Sequence, residues 1–190
     1  LTTIYFVRHA ESDTSIHDDF SRPLTKKGLK DCTLVTNFLK DKNINIVLSS
    51  PYKRSYDTVL GFAKSIDVQV ETIGDFRERK IGDAWLDNFS SFAKMQWEDF
   101  LYKLPDGECL FEVQERNINA LNAVLEKHQN KNIAIGTHGT ALSTIINYYD
   151  NTYGYKDFSE IVALMPWVVK MSFEGKTSLK IEKINLFSLD

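Results

Sequence analysis

The chain has 190 residues, 43% of them apolar and 26% charged, with 23 Lys and Arg against 26 Asp and Glu. A chain of this length buries about 70% of its unfolded surface in one domain, and a formal net charge of −3 lacks the basic field that nucleic-acid or anionic-membrane binding needs. Two cysteines, Cys32 and Cys109, are too few for a disulfide framework, and the apolar run Ala163 to Val169 falls far short of a membrane span of ~20 residues.

The opening Leu1-Thr2-Thr3-Ile4 shows no basic segment and no cleavage pattern, so a cytoplasmic, reducing location is the expectation. Ile4-Tyr5-Phe6-Val7 is continuously apolar and reads as a strand covered on both faces, running into Arg8-His9. Thr25 predicts a helix cap, followed by Leu29, Cys32, Val35 and Leu39 on one helical face. A second apolar run, Ile44 to Leu48, ends in Ser49-Ser50-Pro51. The Ser50-Pro51 pair predicts a helix with proline in its first position and Arg54 in its first turn.

Val68 to Ile73 predicts another strand. Between Asp83 and Leu110 the aromatics Trp85, Phe89, Phe92, Trp97, Phe100 and Tyr102 dominate. They read mainly as packing, and the segment at about 83–110 could form a lid or insertion over the sheet edge. Val113, Asn117, Ala120, Val124 and Leu125 share a helical face. Ile133 to Ile135 reads as a buried strand ending in Gly136-Thr137-His138-Gly139, with a helix over Thr140 to Tyr149. Val168 to Phe173 and Leu179 to Ile184 flank Glu174-Gly175-Lys176 as a hairpin. No repeat or linker divides the chain. The alternation predicts one α/β domain over 1–190, its mixed sheet joined by crossover helices.

The polar groups collect just after predicted strands, and the carboxyl ends of parallel strands share one crevice. Arg8, His9, Arg54 and His138 are therefore expected to converge there, making an electropositive site in a mildly acidic chain. Its natural guest is a phosphate dianion, because guanidinium forks match phosphate oxygens. Gly139, where a strand passes into a helix, allows close backbone approach and adds N–H groups to the anion site. Singly, an Arg-His pair or a His-Gly step is more often structural. Their joint order points to phosphate chemistry.

In order along the chain, these segments resemble the motifs of the histidine phosphatase superfamily, the phosphoglycerate mutase-like fold. Arg8-His9-Ala10-Glu11-Ser12 resembles its nucleophile motif, with alanine where glycine is commoner. Pro23-Leu24-Thr25-Lys26-Lys27-Gly28 is similar to the segment opening its first helix. Ser49-Ser50-Pro51-Tyr52-Lys53-Arg54-Ser55-Tyr56-Asp57-Thr58 resembles the motif of its second arginine. Phe76-Arg77-Glu78 with Gly82 resembles its acid motif, and Thr137-His138-Gly139 its second histidine.

The resemblance implies a three-layer sandwich with a mostly parallel, mixed central sheet flanked by helices. It implies a metal-independent phosphomonoesterase, acting through a phosphohistidine on a small phosphorylated metabolite. His9 would be the nucleophile, with its other ring nitrogen held by a hydrogen bond. Arg8, Arg54 and His138, with Gly139, would hold the phosphoryl oxygens. Glu78 would protonate the departing oxygen and then take a proton from water. Neither a metal nor a cofactor is called for.

Glu78 lies in Arg77-Glu78-Arg79-Lys80, and charged runs are usually solvated surface, so Glu11 stands as the second candidate acid. His17 reads as a surface histidine that could edge the pocket, and His128 as a charge partner at a helix end. The family's mutases carry Trp-Asn where this chain has Thr14-Ser15, which favours hydrolysis over transfer. Ser15 and Arg22 are then the candidate substrate-binding residues of that loop. The alternatives are mutase-type phosphoryl transfer and a weakly active phosphate-binding regulatory protein on the same fold. The expected partner is a small phosphorylated substrate, with no nucleic acid and no membrane, for a monomer or homodimer.

Overall fold

The computed structural model describes residues 1–189. The first strand, β1 (Thr2–Arg8), is buried at every residue. Successive strand side chains point to opposite faces, so a strand apolar throughout needs cover on both. Ile4 and Phe6 join one core with Leu110, Leu121, Leu142 and Ile145. Tyr5 and Val7 join the other, with Val35, Leu39, Val59 and Phe62. Each such large apolar side chain contributes roughly 1.5–3 kcal/mol when fully buried, which holds this strand at the centre.

Strands β2 (Ile46–Ser49), β3 (Val70–Thr72), β4 (Asn132–Thr137), β5 (Trp167–Glu174) and β6 (Thr177–Ile184) complete one sheet, in the order β3-β2-β4-β1-β5-β6. The first four strands are parallel to their neighbours among them. β5 is antiparallel to both β1 and β6, as the hairpin signal at Gly175 requires. Helices α1 (Lys26–Leu39) and α2 (Lys53–Ser65) cover one face. The other is covered by α4 (Leu110–Lys127), α5 (Gly139–Tyr149) and α6 (Tyr155–Ile161), with α3 (Phe89–Glu98) against α6. This is a three-layer α/β sandwich.

Three local expectations are corrected. Thr25 caps α1, its Oγ1 accepting from Gly28 N at 3.0 Å, but the buried stripe runs through Gly28, Val35 and Leu39 while Leu29 is exposed. Gly28 sets that phase. A Cβ there would lie 2.1 Å from the Glu11 carbonyl oxygen, so only glycine lets the helix approach this closely.

Second, α2 starts at Lys53 with Tyr52 in the cap position, two residues later than Ser50-Pro51 suggests. The Ser50 hydroxyl is engaged elsewhere, 2.8 Å from His138 Nε2. Third, α6 lies between the predicted elements and was unforeseen. In the aromatic segment, α3 buries Phe92 and Trp97, the latter against Phe158 of α6 with ring centroids 5.7 Å apart. Among the described residues, no helix is long and apolar enough to cross a membrane.

Candidate active site

β1 and β4 are neighbours, with Arg8 opposite Thr137 at their carboxyl ends. The chain leaves β1 toward α1 on one face and leaves β4 toward α5 on the other. This divergence opens a crevice at the strand ends. A cavity of about 430 Å³ occupies it, with Arg8, His9, Arg54, Glu78 and Thr140 on its wall.

His9 is 6% exposed, and its Nδ1 lies 2.7 Å from the carbonyl oxygen of Ala10. A carbonyl only accepts, so Nδ1 carries the proton and Nε2 keeps a lone pair. Burial, reinforced by Arg54 and Arg8, holds the imidazole well below its usual pKa of 6.5. It is neutral at pH 7.

Arg8 donates from Nη1 to the carbonyls of Ile161 and, at 3.1 Å, Leu164, and from Nη2 to Val162 at 3.0 Å. The Ile161 and Val162 carbonyls end α6, where the helix dipole favours a cation. Burial lowers Arg8 to about 10, with Glu78 opposing, so it stays charged. Arg54 donates from Nη1 to the Asp19 carbonyl at 2.6 Å and from Nη2 to Asp19 Oδ1 at 3.2 Å. Burial lowers its pKa, and Asp19 is the main opposing influence.

His138 is brought beside His9, with ring centroids 5.3 Å apart, but it is fully buried and does not line the cavity. The expectation that it faces the phosphate site directly is corrected to a place behind His9. Its Nε2 meets Ser50 Oγ, and its Nδ1 is buried with no partner among the described residues. Burial, then Arg54 and His9, hold its pKa well below 6.5.

Glu78 is on the wall, clear of the solvated surface its charged run suggests. Its Oε2 accepts from Thr140 N at 3.0 Å, and its Oε1 from Ala141 N at 3.0 Å and Arg79 N at 2.8 Å. The N–H groups expected to be free at the start of α5 are thus occupied by this carboxylate, which a helix N-terminus favours. Gly139 is off the wall. Its contribution is room, since a Cβ there would sit 3.0 Å from Arg8 Nε and 3.1 Å from Arg8 Cζ.

Ser15 does not reach the site. It is exposed, with its Oγ 2.6 Å from Asp13 Oδ1 in a local turn, and Thr14 lines the cavity instead. Arg22 does line it, yet its donors hold its own loop, reaching Ile16 O at 2.7 Å, His17 O at 3.1 Å and Asp19 Oδ1 at 3.2 Å. Glu11 is off the wall, accepting from Thr25 Oγ1 at 2.8 Å. His17 lines the cavity and stacks on Trp85, with centroids 4.1 Å apart and planes at 8°.

Sequence reasoning missed Asp19, Ser50 and Arg79 as site residues. Arg79 is 2% exposed between Phe89 and Phe92, with Nη1 2.7 Å from Gln96 Oε1. The serine that ends at His138 carried a usable signal, since it directly follows a strand of the same crevice. Among the described residues, no group of three or more His, Cys, Asp and Glu is placed to hold a metal ion.

The neutral His9 ring shares this crevice at the strand ends with the buried guanidinium groups of Arg8 and Arg54. Residues 4–177 match the histidine phosphatase superfamily (branch 1), and the chain belongs to that family. By class it is a phosphoric monoester hydrolase. It is 27% identical over 150 residues to the uncharacterized phosphatase PhoE of Bacillus subtilis (strain 168), covering 77% of this chain and 76% of that protein. It is 26% identical over 168 residues to a metal-independent phosphoserine phosphatase of Arabidopsis thaliana, covering 76% of this chain and 67% of that one. The structure of Bacillus stearothermophilus YhfR has the same fold, with TM-score 0.77, 21% identity and 94% of both chains covered.

Proposed function

We propose that this protein hydrolyses small phosphorylated metabolites in the cytoplasm, through a phosphohistidine formed on His9. The observation that carries the reading is the His9 Nδ1 to Ala10 carbonyl bond, which leaves Nε2 as a neutral nucleophile on the cavity wall. Nε2 attacks phosphorus, the ester P–O bond breaks, and Glu78 gives its proton to the departing oxygen. Water then attacks the phosphohistidine while Glu78 takes a proton from it, and inorganic phosphate leaves. Glu78 exchanges one of its helix N–H bonds for these transfers.

Arg54 and Arg8 stabilise the charge on the phosphoryl oxygens, each such preorganised donor being worth about 10²–10³ in turnover. His138 supports the site from behind His9, its own ring held by the Ser50 hydroxyl. Hydrolysis is favoured over transfer because Arg22, its guanidinium committed to its own loop, is not free to grip a second phosphate.

The test is turnover of an aryl phosphate in the presence of a chelator, with rapid acid-free quenching to trap the phosphoenzyme. The expected result is turnover unaffected by chelator, with turnover and trapped phosphate both lost in His9→Ala. Undiminished turnover in that variant would remove His9 from the nucleophile's role.

A further inference from the structure

The carboxylate of Asp19 stands inside the phosphate site, and hydrolysis as described gives it nothing to do. Its carbonyl and Oδ1 are the sole hydrogen-bond partners of the Arg54 guanidinium among the described residues, although the Arg54 side chain is only 3% exposed. Asp19 itself lies on the loop between Ser12 and Arg22, half-buried at the cavity wall. A buried guanidinium whose acceptors come from one loop residue is an exchangeable pair. A phosphate dianion offers more charge and more acceptor oxygens to the same fork.

Displacement from Arg54 does not release Asp19 from the site. The same Oδ1 lies 3.2 Å from Arg22 Nη1, and Arg22 is itself tied to the carbonyls of Ile16 and His17. The carboxylate therefore stays at the wall after phosphate has taken Arg54. A second anionic group on the substrate meets it there. Arg22 does not turn to that group, since its guanidinium is held by the Ile16 and His17 carbonyls and by Asp19 itself.

We propose that Asp19 is a specificity-determining residue, which selects phosphomonoesters with a neutral or cationic body against those carrying a carboxylate beside the ester. The proposal rests on the phosphomonoesterase reading above. Discrimination here is a difference in binding between two substrates, produced by repulsion of one of them.

The experiment compares kcat/KM for an alkyl phosphate bearing a carboxylate two carbons from the ester with that for its uncharged amide. The unsubstituted protein is expected to prefer the amide by about tenfold or more, as for like charges near a protein surface. Asp19→Asn should bring the ratio near one, chiefly through KM of the carboxylated ester, while Asp19→Glu keeps the preference. Raising salt on the unsubstituted protein should shrink the ratio, because screening weakens the repulsion.

A ratio unchanged in Asp19→Asn, or both esters lost in parallel there, overturns the assignment, as does a salt-independent ratio. Failure of the unsubstituted protein to hydrolyse either ester strikes the hydrolase reading itself. Turnover with the wrong ratio strikes only Asp19.

Discussion

The backbone of Ala10 is held on both sides: its carbonyl lies 2.7 Å from His9 Nδ1, and its N–H donates to Thr58 Oγ1 at 3.0 Å. The Thr58 hydroxyl in turn donates to the Arg54 carbonyl at 2.7 Å. The nucleophile's orientation is thereby tied to the helix that carries Arg54. Thr58→Val keeps the shape and removes both bonds, leaving the buried Ala10 N–H unsatisfied at a cost of about 1–3 kcal/mol. The expected outcome is a lower urea midpoint and a fall in kcat of roughly tenfold, with little change in KM. An unchanged kcat would show that the Ala10 peptide holds its position without α2.

Glu78 is asked to act twice, and the two steps separate with the leaving group. An aryl phosphate departs as a stabilised phenolate and needs little protonation, whereas the attack of water on the phosphohistidine still needs a base. Glu78→Gln keeps the shape and one of the two acceptor oxygens on which the N–H groups of Thr140 and Ala141 end. With an aryl phosphate it should give a burst of phenol followed by turnover slowed about 10²–10⁴-fold, with phosphoenzyme accumulating. With an alkyl phosphate the burst should vanish, because the first step is slowed as well. A burst of equal size with both esters would argue against Glu78 as the acid.

The strands and their meeting point were legible because β1 and β4 are apolar on both faces, a pattern that only a doubly covered sheet satisfies. Parallel ends then bring Arg8, Arg54 and His138 together whatever the loops do. Irregular segments carry no such periodicity. In the loop after His9 it is Thr14 that lines the cavity and Ser15 that does not, and nothing in their composition separates them. Asp19 reads as an ordinary loop acid until Arg54 is seen to end on it. The α6 carbonyls that hold Arg8 come from more than 150 positions away, through packing rather than any local signal.

His9 and His138 make stability depend on pH in one direction. Both are buried, and both have folded-state pKa values well below the usual 6.5. As pH falls below that value the unfolded chain takes up protons that the folded one refuses. Stability is therefore complete above pH 6.5 and declines below it, by up to about 1.4 kcal/mol per pH unit for each histidine. Urea midpoints should be level between pH 7.5 and 6.5 and fall between 6.5 and 5, above the range where ordinary carboxylates titrate. His138→Gln should roughly halve that slope. A flat profile would mean that the folded protein accepts the protons, contrary to the burial of both rings.

Two glycines face obstacles of different stiffness, and the difference sets what each substitution damages. At Gly28 a Cβ would meet backbone, 2.1 Å from Glu11 O and 3.0 Å from its carbonyl carbon, so α1 itself must retreat. Overpacking of this kind costs typically 1–3 kcal/mol, and the better helix propensity of alanine returns less than about 1 kcal/mol. Gly28→Ala should lower Tm by several degrees, at ~2–4 °C per kcal/mol for a chain of this size. At Gly139 the Cβ would meet the Arg8 guanidinium at 3.0–3.1 Å, the far end of a side chain able to shift by a few tenths of an ångström. Gly139→Ala should therefore leave Tm nearly unchanged and displace Arg8 instead, lowering kcat/KM on an aryl phosphate about tenfold. The reverse pattern, with activity kept and Tm lost at position 139, would show that the Arg8 bonds to the end of α6 serve the fold and not the reaction.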